Sequence, residues 1–323
     1  MGTPSTASGV LVVDKPAGLS SFAVVRCARR AFGGAKVGHT GTLDPLATGV
    51  LPLCIGEATK IAGLLLAGDK VYRATAELGR VSDTGDSTGC VTPGPDPARV
   101  ATLDPETIER ALSAFRGSIS QVPPAYSALR QGGRRAYELA RAGETVVLEP
   151  RTVTLHELRL EQWRPPQLEL WLHCSKGTYV RSLVRDLGAA LGCGALLTAL
   201  RRERSGPFSL AQAVPLAAIT AETRDRLPLI DLDAALPHLP AVELALSDLQ
   251  RLRWGQVLSC AAPPADPVRV HCAGTLVALG QVAEGTLRVR RLLAAAWTVP
   301  GVPAEREPPR PEALAAGEDG MPH

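Results

Sequence analysis

The chain has 323 residues, 45% of them hydrophobic and 21% charged, with a formal net charge of +3. This length suits a folded protein of about two domains, and the composition excludes a disordered or low-complexity chain. No apolar run of about 18 residues and no basic-then-apolar leader occurs. We therefore expect a cytoplasmic protein that does not bind a membrane.

The cysteines and histidines predict neither a disulfide framework nor a metal site. The seven cysteines are scattered without a C-x-x-C pair, and the six histidines show no H-x-x-x-H spacing. Metal sites and disulfide scaffolds normally show such spacings, so we expect free thiols, a reducing compartment and no metal.

The first predicted elements are a strand and a helix that follow a short polar N-terminus. Residues 1–8 are small and polar, and we expect them to be disordered. Gly9–Val13 is typical of a short buried strand, and Ser20 or Ser21 can cap the next helix. The arginines on the polar face of that helix, Arg26, Arg29 and Arg30, favour a solvated surface over RNA contact.

The stretch from Gly38 to Leu51 has the composition of a candidate catalytic loop. It contains three glycines, His39, Asp44 and Pro45, with no other charged residue. Glycine allows close approach to a ligand, and Pro45 biases Asp44 towards an extended backbone. Asp44 is therefore a candidate catalytic carboxylate, but a tight turn with Asp44 as a helix cap fits the local residues equally well.

Strands and a capped helix follow this stretch. Val50–Ile55 and Lys70–Leu78 have strand patterns, and the second places Tyr72 on its apolar face. Asp104 and Pro105 begin a helix as cap and first residue. The triplet Asp83-Thr84-Gly85 is found in aspartic proteases, but one copy in so long a chain argues against a protease.

Residues 121–145 are basic and aromatic rather than core-like. They combine two tyrosines with four arginines around Gly132-Gly133: Tyr126, Tyr137, Arg130, Arg134, Arg135 and Arg141. Such interleaving suits contact with an RNA backbone and stacking on bases. An exposed amphipathic helix is the alternative.

A second strand–helix pair and a separate C-terminal domain complete the chain. Leu168–Leu172 alternate as a strand, and an apolar helical stripe runs from Val180 to Leu191 with Arg181 beside it. We expect a catalytic domain over residues 9–236, a small β-domain over 237–299, and a disordered acidic tail over 300–323.

Five segments in order resemble the TruB-type tRNA pseudouridine synthases. They cover roughly residues 9–210, and they are Gly9–Pro16, Gly38–Leu51, Asp69–Arg73, Asp83–Asp86 and Ser175–Arg181. The resemblance implies an isomerase, an intramolecular transferase that converts uridine 55 in the tRNA T-loop to pseudouridine. It also implies a mixed α/β (α+β) pseudouridine synthase fold around a largely antiparallel sheet, with a small PUA-like β-domain.

The resemblance also assigns residues by position. Asp44 would be the catalytic carboxylate, Arg181 its ionic partner, and Tyr72 the residue that stacks under the flipped uracil and takes its C5 proton. Tyr179 and Leu200 would pack the base, His39 would lie near the extruded nucleotide, Asp86 in the cleft, and Lys15 on the RNA backbone. Residues 121–145 would form a thumb-like insertion, hereafter the thumb segment, that folds over the RNA.

The reaction implied by the resemblance is redox-neutral and transfers no external group, so we expect no cofactor. Asp44 would either attack the sugar covalently or remove a sugar proton to give a glycal, and the sequence leaves both routes open. We expect a stand-alone monomer that needs no guide RNA and whose partner is the T-arm stem-loop of tRNA.

Three other functions remain open at this stage. An RNA-binding scaffold would have no use for Asp44, Tyr72 and Arg181 together. A subunit of a guide-RNA complex is less compatible with the basic thumb segment. A carboxylate-dependent N-glycosidase would release free uracil.

Overall fold

The computed structural model describes residues 7–127 and 129–301, which form two compact units that divide between Leu236 and Pro237. The predicted disorder of residues 1–6 and 302–323 lies outside the described residues. Ser8, which belongs to the predicted disordered N-terminus, is described, and its hydroxyl accepts a hydrogen bond from the Glu57 N–H at 3.1 Å.

Strands dominate both units. The first unit contains Gly9–Lys15 (β1), Val37–His39 (β2), Thr48–Ile55 (β3), Lys70–Leu78 (β4), Arg80–Ser82 (β5), Val91–Pro93 (β6), Gly117–Gln121 (β7), Arg130–Gln131 (β8), Arg134–Arg135 (β9), Arg151–Arg164 (β10), Gln167–Cys174 (β11), Ala195–Ser205 (β12), Phe208–Ser209 (β13) and Val214–Pro215 (β14). The second contains Ala241–Leu244 (β15), Leu258–Ser259 (β16), Ala265–Cys272 (β17), Thr275–Ala283 (β18) and Thr286–Leu292 (β19).

The α-helices of the described residues are short, and the two longest have 11 residues each. The α-helices are Ser21–Ala31 (α1), Ala62–Leu66 (α2), Pro105–Ser113 (α3), Ala136–Arg141 (α4), Val180–Ala190 (α5) and Leu246–Arg253 (α6). Short 3₁₀ helices span Gly56–Lys60, Pro97–Thr102, Leu210–Gln212, Leu216–Ala218, Arg224–Arg226 and Ala294–Trp297. Across the described ranges, no helix has both the length and the apolar character needed to cross a membrane.

The first unit is built on one large sheet in the order β14-β1-β3-β12-β4-β11-β10-β7. Its ladders are antiparallel except for β1 with β14 and β3 with β12, so the predicted mixed fold around a largely antiparallel sheet is confirmed. Helix α5 buries Leu183, Val184 and Leu187 in the same core as the inward residues of these strands. This packing fixes the start of α5 beside the sheet.

The predicted caps have the expected geometry. Ser20 accepts a hydrogen bond from the Ala23 N–H at the start of α1, and Asp104 accepts one from the Thr107 N–H at the start of α3. The sequence patterns did not predict β10 or β12. The long strand β10 mixes polar and apolar residues, and the end of β12 is strongly basic.

The second unit is a five-stranded sheet in the order β15-β17-β18-β19-β16. Leu249 and Leu252 of α6 are buried with Val270, Val277 and other inward residues of these strands. Its β-rich architecture agrees with the fold class predicted for the C-terminal part of the chain, and the PUA-like assignment stays a prediction.

Candidate active site

Asp44 lies in the loop between β2 and β3, and hydrogen bonds hold the loop on both sides of it. The Leu43 N–H donates to the Ser21 hydroxyl at 2.8 Å, and that hydroxyl donates to the Leu43 carbonyl at 3.1 Å. On the other side, the Pro45 carbonyl accepts from the Gly18 N–H at 2.8 Å. The Asp44 carbonyl accepts a hydrogen bond from the Ala47 N–H, which closes a turn. The Asp44 side chain takes no part in this turn and contacts Arg181 instead.

The Asp44 carboxylate forms a two-point ion pair with Arg181. Arg181 Nε donates to Asp44 Oδ2 at 2.9 Å, and Arg181 Nη2 donates to Asp44 Oδ1 at 3.1 Å. Such a planar, two-point contact fixes both the position and the rotation of a carboxylate. Asp44 keeps 31% of its side chain exposed while Arg181 is 4% exposed, so the carboxylate is the accessible member of the pair.

Arg181 is held by further hydrogen bonds from both of its terminal guanidinium nitrogens. Nη1 donates to the Thr84 carbonyl and Nη2 to the Tyr126 carbonyl, each at 2.8 Å. Asp86 lies 3.8 Å from Arg181 Nε and is itself buried, with Oδ1 accepting from the Thr88 N–H. The guanidinium is thus fixed in a network that joins the β5–β6 turn, the thumb segment and α5.

The ionisation of Asp44 reflects opposing influences. Burial raises the pKa of the Asp44 carboxyl above its ordinary value, the adjacent Arg181 guanidinium lowers it, and the Asp86 carboxylate raises it again. A carboxylate with such a balance responds to changes in its neighbours, as groups that take part in catalysis commonly do.

Tyr72 and Leu200 lie on the two central strands of the sheet. Tyr72 of β4 is paired with Leu172 and Arg202, and Leu200 of β12 is paired with Ala74; both side chains are buried. The Thr48 hydroxyl donates to the Leu200 carbonyl at 3.4 Å, which ties β12 to the end of the Asp44 loop. Burial raises the pKa of the Tyr72 phenol, so it is protonated at neutral pH.

Tyr179 immediately precedes α5, and a buried amide holds its backbone. Gln121 Nε2 donates to the Tyr179 carbonyl at 3.0 Å, and the Tyr179 N–H donates to Gln121 Oε1 at 2.7 Å. The side chain is half-buried, and burial raises the pKa of its phenol. Helix α5 begins at Val180, the residue after Tyr179.

His39 lies at the entrance to the Asp44 loop. Its Nδ1 accepts from the Gly41 N–H at 3.3 Å, and the side chain is half-buried. Burial and the Arg202 guanidinium lower the pKa of the imidazole, which is therefore neutral near pH 7.

The expected contact of Lys15 with the RNA backbone does not fit its position. Lys15 is fully buried, and its ammonium donates to the carbonyls of Pro16 at 2.8 Å, Leu19 at 2.6 Å and Pro45 at 3.3 Å. All three donors of the ammonium are therefore used within the protein. Lys15 braces the loop that carries Asp44 instead of facing a ligand.

Arg202 is a residue of the site that the sequence analysis missed. It is 1% exposed and is among the largest fully buried side chains of the described residues. Its Nε donates to the Val50 carbonyl at 2.7 Å and its Nη2 to the Gly41 carbonyl at 3.0 Å, so it supports both ends of the Asp44 loop. A Cβ at Gly49 would lie 2.2 Å from the Arg202 carbonyl oxygen, which explains a glycine there.

The arginines of the thumb segment are exposed, and β8 and β9 pair with each other in a separate two-stranded sheet. Arg130 and Arg134 flank the Gly132-Gly133 turn of the β8–β9 hairpin, which leads into α4. The guanidinium groups of Arg135 and Arg141 lie 5.9 and 5.8 Å from the centre of the Tyr137 ring. Arg134 forms an ion pair with Glu144 at 2.8 Å. The exposed helix that the sequence offered as an alternative for residues 121–145 is present only as α4.

Family models match most of the first unit. Residues 29–180 match the TruB family pseudouridylate synthase (N terminal domain), and residues 181–236 match the tRNA pseudouridylate synthase B C-terminal domain. The second match lies within the first compact unit and includes Arg181, Leu200 and Arg202.

Curated relatives are similar along nearly the whole chain. A tRNA pseudouridine synthase B of Azoarcus sp. (strain BH72) is 45% identical over 289 residues, which is 88% of this chain and 95% of the relative. One of Aromatoleum aromaticum is 47% identical over 298 residues, 90% of this chain and 94% of the relative.

A solved structure of a Cbf5-Nop10-Gar1 complex contains a chain with the same fold. It is 26% identical, with a TM-score of 0.66, and the match covers 88% of this chain and 83% of that one. A second structure, an H/ACA RNP bound to a substrate RNA containing 2'-deoxyuridine, has a TM-score of 0.66 at 24% identity and shows the likeness of fold alone.

Proposed function

Because this chain belongs to the TruB family of pseudouridylate synthases, we propose that it isomerises uridine 55 in the T-loop of tRNA to pseudouridine, with Asp44 as the catalytic carboxylate. The observation that carries the assignment of Asp44 is its two-point ion pair with the buried Arg181. This pair leaves the carboxylate accessible on a braced loop.

The reaction balances within the substrate. The bond between uracil N1 and the ribose C1′ breaks, the base turns, and a bond forms between C5 and C1′; the C5 proton is lost and N1 regains a proton. Asp44 either attacks C1′ to form a covalent intermediate or removes a sugar proton to give a glycal. Both routes require an ionised, oriented carboxylate, and Arg181 supports both requirements.

The pocket residues act on the extruded base. Tyr72 stacks under the uracil, with Tyr179 and Leu200 packing around it and His39 beside the nucleotide. Since burial raises the pKa of the Tyr72 phenol, stacking suits this side chain better than removal of the C5 proton, which needs the phenolate. Asp86 acts through Arg181 as a positioning residue.

RNA binding is assigned to the exposed arginines of the thumb segment. Arg130, Arg134, Arg135 and Arg141 contact the T-arm backbone, and the target base leaves its stack to reach Asp44. The protein acts in the cytoplasm as a monomer without a guide RNA. The match of residues 181–236 to the C-terminal domain model of tRNA pseudouridylate synthase B favours this over a guide-RNA subunit.

Tritium release from a T-loop RNA that carries 5-tritiated uridine tests the proposal. We expect release by the wild type without added guide RNA, the base remaining attached, and a loss on the order of 10⁴-fold in Asp44→Asn. The variant should bind the RNA with wild-type affinity, since it keeps the size and shape of the side chain.

The alternatives give different results in the same assay. Free uracil would identify an N-glycosidase, tight RNA binding without release would identify a scaffold, and release that required a guide would identify a complex subunit. Substantial turnover by Asp44→Asn would remove Asp44 from the catalytic role.

A further inference from the structure

We propose that Asp69, His156 and His173 form a binding site for one divalent transition-metal ion of the Zn²⁺ class. The spacing of histidines and cysteines along the sequence predicts no such site, because the three residues come from separate segments. The fold brings one potential ligand atom of each within 4.8 Å of the other two. The site is separate from the proposed catalytic site, so it does not depend on the proposed reaction.

The β10–β11 ladder places the two histidines side by side. The register shifts between Leu155 and Glu157, so that His156 and Glu157 both stand opposite His173. An extra residue of this kind turns a side chain out of the regular alternation. The two imidazole rings consequently lie with their centres 4.8 Å apart.

Asp69 reaches the same point from the segment before β4. Its carbonyl accepts from the Gly206 N–H at 2.7 Å, which fixes its backbone next to the end of β12. His173 pairs with Val71, the residue before Tyr72, so it lies on the sheet face opposite that of Tyr72. The cluster therefore faces away from the base pocket.

The distances fit a tetrahedral ion. Asp69 Oδ2 lies 3.2 Å from His156 Nε2 and 3.6 Å from His173 Nε2. Metal bonds of about 2.0–2.1 Å at tetrahedral angles put neighbouring ligand atoms about 3.4 Å apart. The two histidine nitrogens can reach that separation by rotation of the His156 side chain, which is 38% exposed.

The chemistry of the three ligands indicates which class of ion the site would bind. Two imidazoles and one carboxylate suit Zn²⁺, Co²⁺ or Ni²⁺ better than Mg²⁺ or Ca²⁺, which prefer oxygen ligands throughout. Asp69 is 44% exposed, so the ion can enter from solvent and keep water at its fourth position. The bound ion would tie the start of β4 to β10 and β11.

Arg204 competes with the ion for one ligand. Its Nη2 lies 3.2 Å from His173 Nε2. A guanidinium has only donors, so this contact uses the same nitrogen lone pair that a metal would need. Arg204 is exposed and can turn away, but its positive charge also opposes a cation. Removal of Arg204 should therefore tighten metal binding.

Titration of the full, tag-free chain with Co²⁺ and then Zn²⁺ tests the site. We expect one ion per chain, Co²⁺ visible absorption without a thiolate charge-transfer band, and a Zn²⁺-dependent rise in Tm. His156→Gln and His173→Gln should each weaken binding by about tenfold or more, and Arg204→Gln should strengthen it. His238→Gln, at an exposed histidine outside the cluster, is the matched control.

The comparison of variants separates ligand loss from misfolding. His156→Gln should have the wild-type Tm in metal-free buffer and wild-type tritium release, because its side chain is exposed and remote from Asp44. Equal Zn²⁺ affinity in wild type, His156→Gln and His173→Gln would overturn the proposal. A thiolate band, or weaker binding in Arg204→Gln, would also overturn it.

Discussion

Two regions of the first unit use arginine in opposite ways. At Asp44, the Arg181 side chain is 4% exposed, and its guanidinium nitrogens donate to the Asp44 carboxylate and two carbonyls. In the thumb segment, Arg130, Arg135 and Arg141 are exposed, and Arg135 and Arg141 lie near Tyr137.

The difference in burial predicts that the two groups of arginines affect different quantities, the reaction rate in one case and the affinity for RNA in the other. A buried guanidinium with fixed acceptors is poorly screened by salt and can hold a reacting group in one orientation. Exposed guanidinium groups are screened, and they contribute by displacing counterions from a nucleic acid. Substitutions around Asp44 should therefore lower the rate at saturating RNA, whereas substitutions in the thumb segment should change salt-dependent binding.

Arg181→Lys should have the largest effect of the substitutions that test this difference, because it removes the two-point contact with Asp44. A lysine ammonium cannot form the two-point contact with Asp44 while also donating to the Thr84 and Tyr126 carbonyls. We expect single-turnover tritium release to fall by about 10²-fold or more with little change in RNA affinity. Arg185→Lys, one turn later on α5 and 43% exposed, is the matched control and should have nearly the wild-type rate.

Equal losses of rate and affinity in Arg181→Lys would make Arg181 an RNA contact. In that case the two regions would differ only in burial, and the assignment of Arg181 as the partner of Asp44 would fail.

Asp86→Asn tests the electrostatic part of the same network. The Asp86 carboxylate raises the pKa of Asp44, and its removal also leaves Arg181 to act on Asp44 without a competing carboxylate. Both changes lower the pKa of Asp44, so the acidic limb of the rate profile should move to lower pH. We expect the plateau rate to fall by about tenfold, because Arg181 loses one anchor.

The pH profile of single-turnover release, measured with saturating RNA, gives this result directly. Asp83→Asn is the control, since Asp83 belongs to the same turn but is exposed and bonds the Cys90 N–H. A shift of the acidic limb to higher pH in Asp86→Asn would contradict the proposed coupling.

Arg202→Met measures how much the hydrogen bonds of Arg202 to the Asp44 loop contribute to the stability of the protein. The substitution leaves the buried Val50 carbonyl and the partly buried Gly41 carbonyl without the Arg202 donor, at a cost of about 2–5 kcal/mol in the free energy of unfolding. Arg201→Met is the matched control: it is the preceding residue, its side chain is 40% exposed, and it pairs with Asp14. The free energy of unfolding of Arg201→Met should fall by no more than about 1 kcal/mol.

Urea unfolding of both variants measures the difference. Equal stabilities would show that the buried Arg202 has no special role beneath the loop.

The sequence predicted the parts of the site that lie on short, distinctive segments. Asp44, Tyr72 and Arg181 each stand in a segment with a recognisable pattern, and the strand and helix patterns around Lys70–Leu78 and Val180–Leu191 located two of them in the fold. The helix caps at Ser20 and Asp104 depend on neighbouring residues alone, and they too were predictable.

Arg202 and Lys15 could not be assigned correctly from the sequence. Whether a long cation faces solvent or a buried carbonyl depends on strands that pair across more than 100 residues, as β12 does with β3. Arg202 also stands in the run Arg201-Arg202-Glu203-Arg204, where the charged pattern suggests a solvated surface and hides the one inward side chain. The strand β12 was missed for the same reason.

The smallest effect is expected in the thumb segment, where each arginine acts on its own. Arg130→Gln and Arg141→Gln should each weaken T-arm binding by about threefold to tenfold and reduce the slope of log Kd against log salt by about one. The rate at saturating RNA should be unchanged, because neither residue touches the Asp44 network. Arg110→Gln on α3 controls for loss of surface charge, since the Arg110 side chain is 71% exposed and pairs with Glu106. An unchanged salt slope in both thumb variants, or the same loss in Arg110→Gln, would show that these arginines form a solvated surface.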